Sequence, residues 1–228
     1  MKKQLWMMVA ALVLACGMLC LAGCFPEYPG ASSEQPADDV VTSVAPDDPY
    51  GSGKHTATVT VKGYEPFTVE LDADAAPVTV SNFCHLALDG FYDGKTFYRF
   101  SDGYCMQGGS TGNSAAVVDD GLPHIVGEFS ANGIDNALAD DFHRGVVAMT
   151  RSRSMNSATS AFFITLDKND TIERNWNGQY AAFGTVDEAG MKVVDQIVAD
   201  YLPKVTDSRT ESIGPEDEQA QIVSITID

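Results

Sequence analysis

Gly90-Phe91-Tyr92-Asp93-Gly94-Lys95-Thr96-Phe97-Tyr98-Arg99-Phe100, and shortly after it Tyr104-Cys105-Met106-Gln107-Gly108-Gly109-Ser110-Thr111-Gly112, form the stretch on which the reading of this chain turns. Lys95 to Phe100 and Tyr104 to Gln107 are short runs rich in aromatic residues and bounded by Gly and Asp, the composition of strands closed by turns. Working outward, Gly145–Thr150, Ala161–Leu166 and Gln221–Ile227 have the same character. Upstream, His55–Val61 and Phe67–Leu71 alternate on either side of Gly63, as a hairpin does. Only two segments have a helical period. One starts with Asp74 as acidic cap and Pro77 in the first turn, carries Val80, Phe83, Leu86 and Ala87, and stops at Asp89-Gly90. The other runs from about Glu188 to Asp200, with Val193, Val194, Ile197 and Val198 on one side. Many short strands with two helices predict a mainly β protein, a closed barrel capped at its ends, rather than alternating βαβ units.

At the N-terminus, Lys2 and Lys3 are followed by no charged residue until Glu27, and the apolar run Leu5 to Leu21 ends in Leu21-Ala22-Gly23-Cys24. This resembles the lipobox of bacterial lipoproteins, which implies a signal peptide over 1–23 and a diacylglycerol on the Cys24 sulfur. An uncleaved span is the other reading, since about twenty apolar residues can cross a bilayer. Either way the domain is exported and held at the cell membrane, facing outside the cytoplasm. Residues 25–53 hold half of the ten prolines and six acids with no Lys or Arg, so 24–53 is expected to be the lipidated cysteine followed by a disordered tether. That leaves 54–228 as one folded domain.

The 228 residues carry 14 bases against 32 acids, a formal charge of −18, and apolar residues make up 44%. A core is therefore available, while a phosphate-backbone partner is excluded for want of clustered Lys and Arg. Of five cysteines only Cys84 and Cys105 belong to the folded part; one is expected on a helix and one on a strand, which favours free thiols. His55, His85, His124 and His143 are scattered without ligand spacing, so no metal is expected.

Taken together, the segments Ala76–Phe83, Gly90–Phe100, Gln107–Gly112, Gly127–Gly133, Arg144–Met149, Phe162–Ile164 and Asn177–Val186, in order over about 55–228, resemble the cyclophilins, most closely their bacterial branch. The resemblance implies an eight-stranded antiparallel barrel closed by two α-helices, and peptidyl-prolyl cis-trans isomerase activity on proline-containing polypeptides. It also implies that Arg99 is the catalytic cation, steadied by Gln107. Tyr104, Cys105, Phe163 and Trp176 would form the proline pocket, with Tyr180 at its rim, and backbone at Thr150 and Arg151 would pair with the peptide.

The chemistry agrees on independent grounds. An X-Pro amide resists rotation by about 20 kcal/mol because it is conjugated, and no bond need break. Neither nucleophile nor cofactor is required, only a fixed cation aimed at a nitrogen that turns basic as the amide twists, beside an apolar slot. Arg suits this better than Lys because its planar fork keeps its aim. Three positions depart from the family pattern: Ala161 where Gln is usual, Tyr98 where His is common, and Thr150 within the Met-Ala-Arg run. The expectation is a monomeric isomerase serving unfolded exported proteins, weakened by Ala161. A tethered proline-peptide-binding or chaperone module with little turnover is the alternative.

Overall fold

Alternation closes the chain into a barrel. The structure, a computed structural model, describes residues 40–110 and 120–228, which belong to one compact unit, Ser33–Asp228. The leader, Cys24, the tether as far as residue 39, and Thr111-Gly112 of the family motif lie outside the described residues. The strands are β1 (Val40–Val41), β2 (Lys54–Val61), β3 (Phe67–Asp72), β4 (Thr96–Ser101), β5 (Cys105–Gly108), β6 (His124–Ile125), β7 (Val146–Met149), β8 (Phe162–Thr165), β9 (Ala182–Val186) and β10 (Ala220–Ile227). Eight of them close in the order β10-β2-β3-β9-β7-β8-β5-β4, every pair antiparallel, with β4 returning to β10. The inward residues Val59, Val69, Phe97, Phe100, Met106, Val147, Phe162, Ile164 and Phe183 fill the lumen, so this is a packed core rather than a channel.

Among the described residues three α-helices, not two, accompany the barrel: α1 (Pro77–Leu88), the short α2 (Asp170–Trp176) and α3 (Glu188–Tyr201). Helix α1 pushes Phe83 against Phe162 and Phe183, at ring distances of 5.5 and 5.0 Å. Helix α3 buries Met191, Val194 and Ile197. Helix α2 was too short to show a period; Asn169 caps it by accepting from Thr171 N and Ile172 N.

The expected cap of α1 is corrected. Asp74 accepts from Gly53 N instead, and the first turn of α1 has no side-chain cap of its own. Its first-turn amides are met by the buried Glu128, whose two oxygens accept from Val78 N (3.0 Å), Thr79 N (2.8 Å) and Thr79 Oγ1 (2.7 Å). A carboxylate at a helix N-terminus also faces the positive end of the helix dipole.

The expected tether is corrected as well, over residues 40–53. Val40 and Val41 pair in parallel with β6, and Val126 N donates to Val41 O. Asp48 accepts from Tyr50 N, from Ser81 Oγ (2.6 Å) and from His85 Nε2 (3.0 Å) on α1. Tyr50 stands edge-on to both His55 and His85. The acidic, Pro-rich composition suits a solvated coil, but Ser81, His85 and β6, which fasten the segment to the domain, lie 30 or more residues away and leave no local trace. Cys84 and Cys105 are both buried and free.

Candidate active site

A single irregularity in β4 builds the site. Phe97 pairs with Gly108 and Arg99 with Gln107, so two residues of β4 advance against one of β5 and Tyr98 is the extra residue of a bulge. Strict alternation from the inward Phe97 would send Arg99 into the core; the bulge turns it outward and returns Phe100 to the lumen. Register then carries one row across the outer face: Arg99 opposite Gln107, Gln107 opposite Phe163, Phe163 opposite Ala148, and Ala148 opposite Ala182. At the usual spacing of strands, Arg99 and Phe163 start about 10 Å apart on one surface.

The Arg99 side chain, 30% exposed, is gripped from two sides. From the barrel, Gln107 Oε1 accepts from Nη1 at 3.0 Å and Cys105 Sγ from the same nitrogen at 3.4 Å. From the segment before β10, Thr210 O accepts from Nε at 3.2 Å and Glu211 Oε2 from Nη2 at 2.7 Å. The Gln107 amide has no choice of orientation: a guanidinium only donates, so Oε1 faces Arg99 and Nε2 donates to Tyr98 Oη at 3.2 Å. Ser110 Oγ donates to the same phenol oxygen at 3.2 Å. Burial raises the Tyr98 phenol, although the bonds from Ser110 and Gln107 and the charge of Arg99 pull it down.

Beyond Gln107 the outer face turns apolar. Cys105, Ala148, Phe163 and Ala182 join Phe129, Phe142 and Ile172 in a second hydrophobic cluster outside the barrel, with Tyr104, Trp176 and Tyr180 partly buried against it. Phe163, only 5% exposed, meets the edges of Trp176 at 5.2 Å and Tyr180 at 5.5 Å. Tyr104 touches Trp176 at 6.2 Å. The expected pocket residues are therefore gathered in one place, beside Arg99. Cys105 is the most deeply buried of them, 1% exposed; burial pushes its thiol up to about 11 despite the Arg99 charge.

Thr150 and Arg151, expected to pair with a peptide, follow β7. Thr150 N is already committed to Ala161 O at 2.8 Å. The Arg151 guanidinium folds back, donating to Gln179 O and Ser152 O and lying over the rings of Tyr180 (4.9 Å) and Phe129 (5.3 Å). Two residues of the site escaped the sequence. Phe142 stacks on Phe163 at 6.1 Å, and Glu211 pairs with Arg99. Phe142 sits in irregular chain with no period to mark it. Glu211 belongs to Asp207-Ser208-Arg209-Thr210-Glu211-Ser212, which has the composition of a solvated turn. Gly108-Gly109 is a strand end and turn, Gly109 having φ +81° and donating to Thr96 O.

Comparison with known proteins agrees with this architecture. The family described as cyclophilin type peptidyl-prolyl cis-trans isomerase/CLD matches residues 56–226. Peptidyl-prolyl cis-trans isomerase A of Dickeya dadantii is 35% identical over 149 residues, spanning 64% of this chain and 68% of that protein. Peptidyl-prolyl cis-trans isomerase B of Escherichia coli is 34% identical over 130 residues, spanning 54% and 73%. A crystal structure of a cyclophilin-type isomerase of Cryptosporidium parvum shares the fold, with TM-score 0.58 at 21% identity over 77% of this chain and 98% of that one. The chain belongs to the cyclophilin-type peptidyl-prolyl cis-trans isomerase family. It is an enzyme of prolyl-bond rotation, built on a closed antiparallel barrel.

Proposed function

We propose that Arg99 is the catalytic group of this isomerase, and that it acts outside the cytoplasm on exported polypeptides from a lipid anchor at Cys24. The observation that carries the catalytic reading is the cross-strand row joining Arg99, Gln107 and Phe163 on one face. A proline ring seated among Phe163, Trp176, Tyr180 and Tyr104 would bring its nitrogen towards Nη1 and Nη2. As the amide twists, conjugation is lost and the nitrogen lone pair localises; a guanidinium donating to it stabilises that state more than the planar ground state. The apolar walls exclude water, which strengthens that interaction. Gln107, held by Tyr98, keeps Nη1 from swinging.

Ala161 lies beside Thr150 at the edge of this face and offers no side-chain amide to a peptide backbone. The resemblance therefore supports a weakened enzyme, and it keeps a peptide-holding role in view. Nascent exported chains hold mixed prolyl isomers that relax over tens of seconds, a delay that a membrane-held isomerase shortens. The domain is proposed to work as a monomer.

The test is turnover of a short Xaa-Pro peptide by the purified protein beside Arg99→Ala and Arg99→Lys. Arg99→Ala is expected to lower kcat/KM about 10²-fold, with Lys recovering little. Equal rates in all three would overturn the assignment. For the anchor, radiolabelled fatty acid should enter the wild-type chain in a bacterial host and not Cys24→Ser; label in both would refute it.

A further inference from the structure

We propose that Glu211 is a positioning residue for the Arg99 guanidinium, an inference that rests on the reading of Arg99 as the catalytic group. Among the described residues Glu211 is the one non-glycine residue at positive φ, +55°. L-residues avoid that region because Cβ crowds the backbone, and a long side chain gains nothing there that Gly or Asn would not supply. Such an outlier calls for a compensating role.

The surroundings hold it in place from both sides. Phe100 N donates to Glu211 O at 2.9 Å and Ile213 N to Tyr98 O at 2.9 Å, so residues 211–213 continue the pairing of β4 where β10 leaves it. Ser212 bridges both Arg99 and Asp207, folding 206–213 into a small hairpin of its own. Between these fixed points the left-handed residue sends its carboxylate to Nη2 at 2.7 Å, while the preceding carbonyl, Thr210 O, takes Nε. Gln107 and Cys105 fix Nη1 from the barrel, and Glu211 and Thr210 fix the opposite edge of the guanidinium. The planar fork is thereby clamped along two edges. Of these bonds the one to the carboxylate is the shortest and carries charge on both sides, the strongest kind. An arginine with four rotatable bonds, part exposed, would otherwise sample several aims.

Glu211→Gly separates the carboxylate from the turn, because glycine relieves the left-handed backbone while removing the grip. The expected result is a melting temperature equal to or above wild type, a fall in kcat of about tenfold from lost alignment, and KM within twofold. Glu211→Gln, which can still accept from Nη2, should recover part of kcat. The order parameter of Arg99 Nε, measured by ¹⁵N relaxation, should drop in Glu211→Gly. An unchanged kcat would mean that the residue serves the turn alone. A raised kcat would mean that the carboxylate weakens the cation, and either result overturns the proposal. Arg99→Ala, run beside these variants, separates the two claims. Full activity there overturns the catalytic reading and this inference with it, whereas an inactive Arg99→Ala beside an undiminished Glu211→Gly overturns this inference alone.

Discussion

At the scale of single residues, the departures from the family pattern have physical content. Tyr98 is buried and receives the Gln107 Nε2 hydrogen, so it fixes which end of that amide meets Arg99. Tyr98→Phe would leave a buried amide donor unpaired, at a cost of about 1–3 kcal/mol, and kcat should fall several-fold as Gln107 loosens. Chemical denaturation and turnover, measured together, check both; an unchanged kcat would remove Tyr98 from the positioning chain. Ala161→Gln should raise turnover by returning an amide to the face beside Thr150, and an unaltered rate would show that this position lies outside the peptide track. The thiols give a pH test. Burial raises Cys84 to about 12 and Cys105 to about 11, whereas unfolded thiols ionise near 8.5. The folded state thus holds protons that the unfolded chain releases. Their stabilising contribution is complete below the unfolded value and is lost as pH rises towards the folded ones. Unfolding free energy should decline above pH 9, and less steeply in Cys84→Ala, by up to about 1.4 kcal/mol per pH unit. Parallel slopes would contradict this.

At the scale of elements, two segments owe their order to partners far along the chain. Helix α1 is closed by Glu128 rather than by the acid nearest it in sequence. Burial raises the Glu128 carboxyl, and its bonds to Thr79 and Val78 only partly offset that. Glu128→Ala strands three buried donors and should cost about 3 kcal/mol, read as a shift in the denaturant midpoint; a loss below about 0.5 kcal/mol would mean that another group takes over the cap. Residues 40–53 are fastened by Asp48 to Ser81 and His85. Asp48→Ala should speed hydrogen exchange at Val126 and Tyr50 without altering the barrel strands, and unchanged exchange there would show that β1 and Tyr50 suffice to hold the segment. The strands themselves were legible because alternation and turn residues are local signals. The cap of α1 and the docking of residues 40–53 were not, since composition describes a segment and says nothing of its distant neighbour.

At the scale of the whole molecule, the barrel brings β4, β5, β8 and β7 side by side so that a short row of outward residues becomes the candidate site. The residues that the motifs single out are brought together: Arg99, Gln107 and Phe163 lie in one cross-strand row, and Trp176, Tyr180 and Tyr104 pack in the cluster around Phe163. Their mechanism of assembly was only half readable. The run Phe97-Tyr98-Arg99-Phe100 breaks alternation, and that break is the bulge which turns the cation outward. Cys105, expected among the pocket residues, shares the outward face of β5 with Gln107 and is buried within the same apolar cluster as Phe163. Glu211 was illegible: its role depends on a hairpin formed late in the chain and on a backbone conformation that no composition reveals.

The most direct trial of the central claim separates holding a proline peptide from rotating it. Exchange NMR on a single Xaa-Pro peptide, with the protein present in small proportion, reads cis-trans interconversion, and line broadening reads binding in the same sample. The account predicts fast interconversion with the wild-type protein, and binding without acceleration in Arg99→Ala. Interconversion that persists undiminished in Arg99→Ala, or that is absent from the wild type while binding remains, would contradict it.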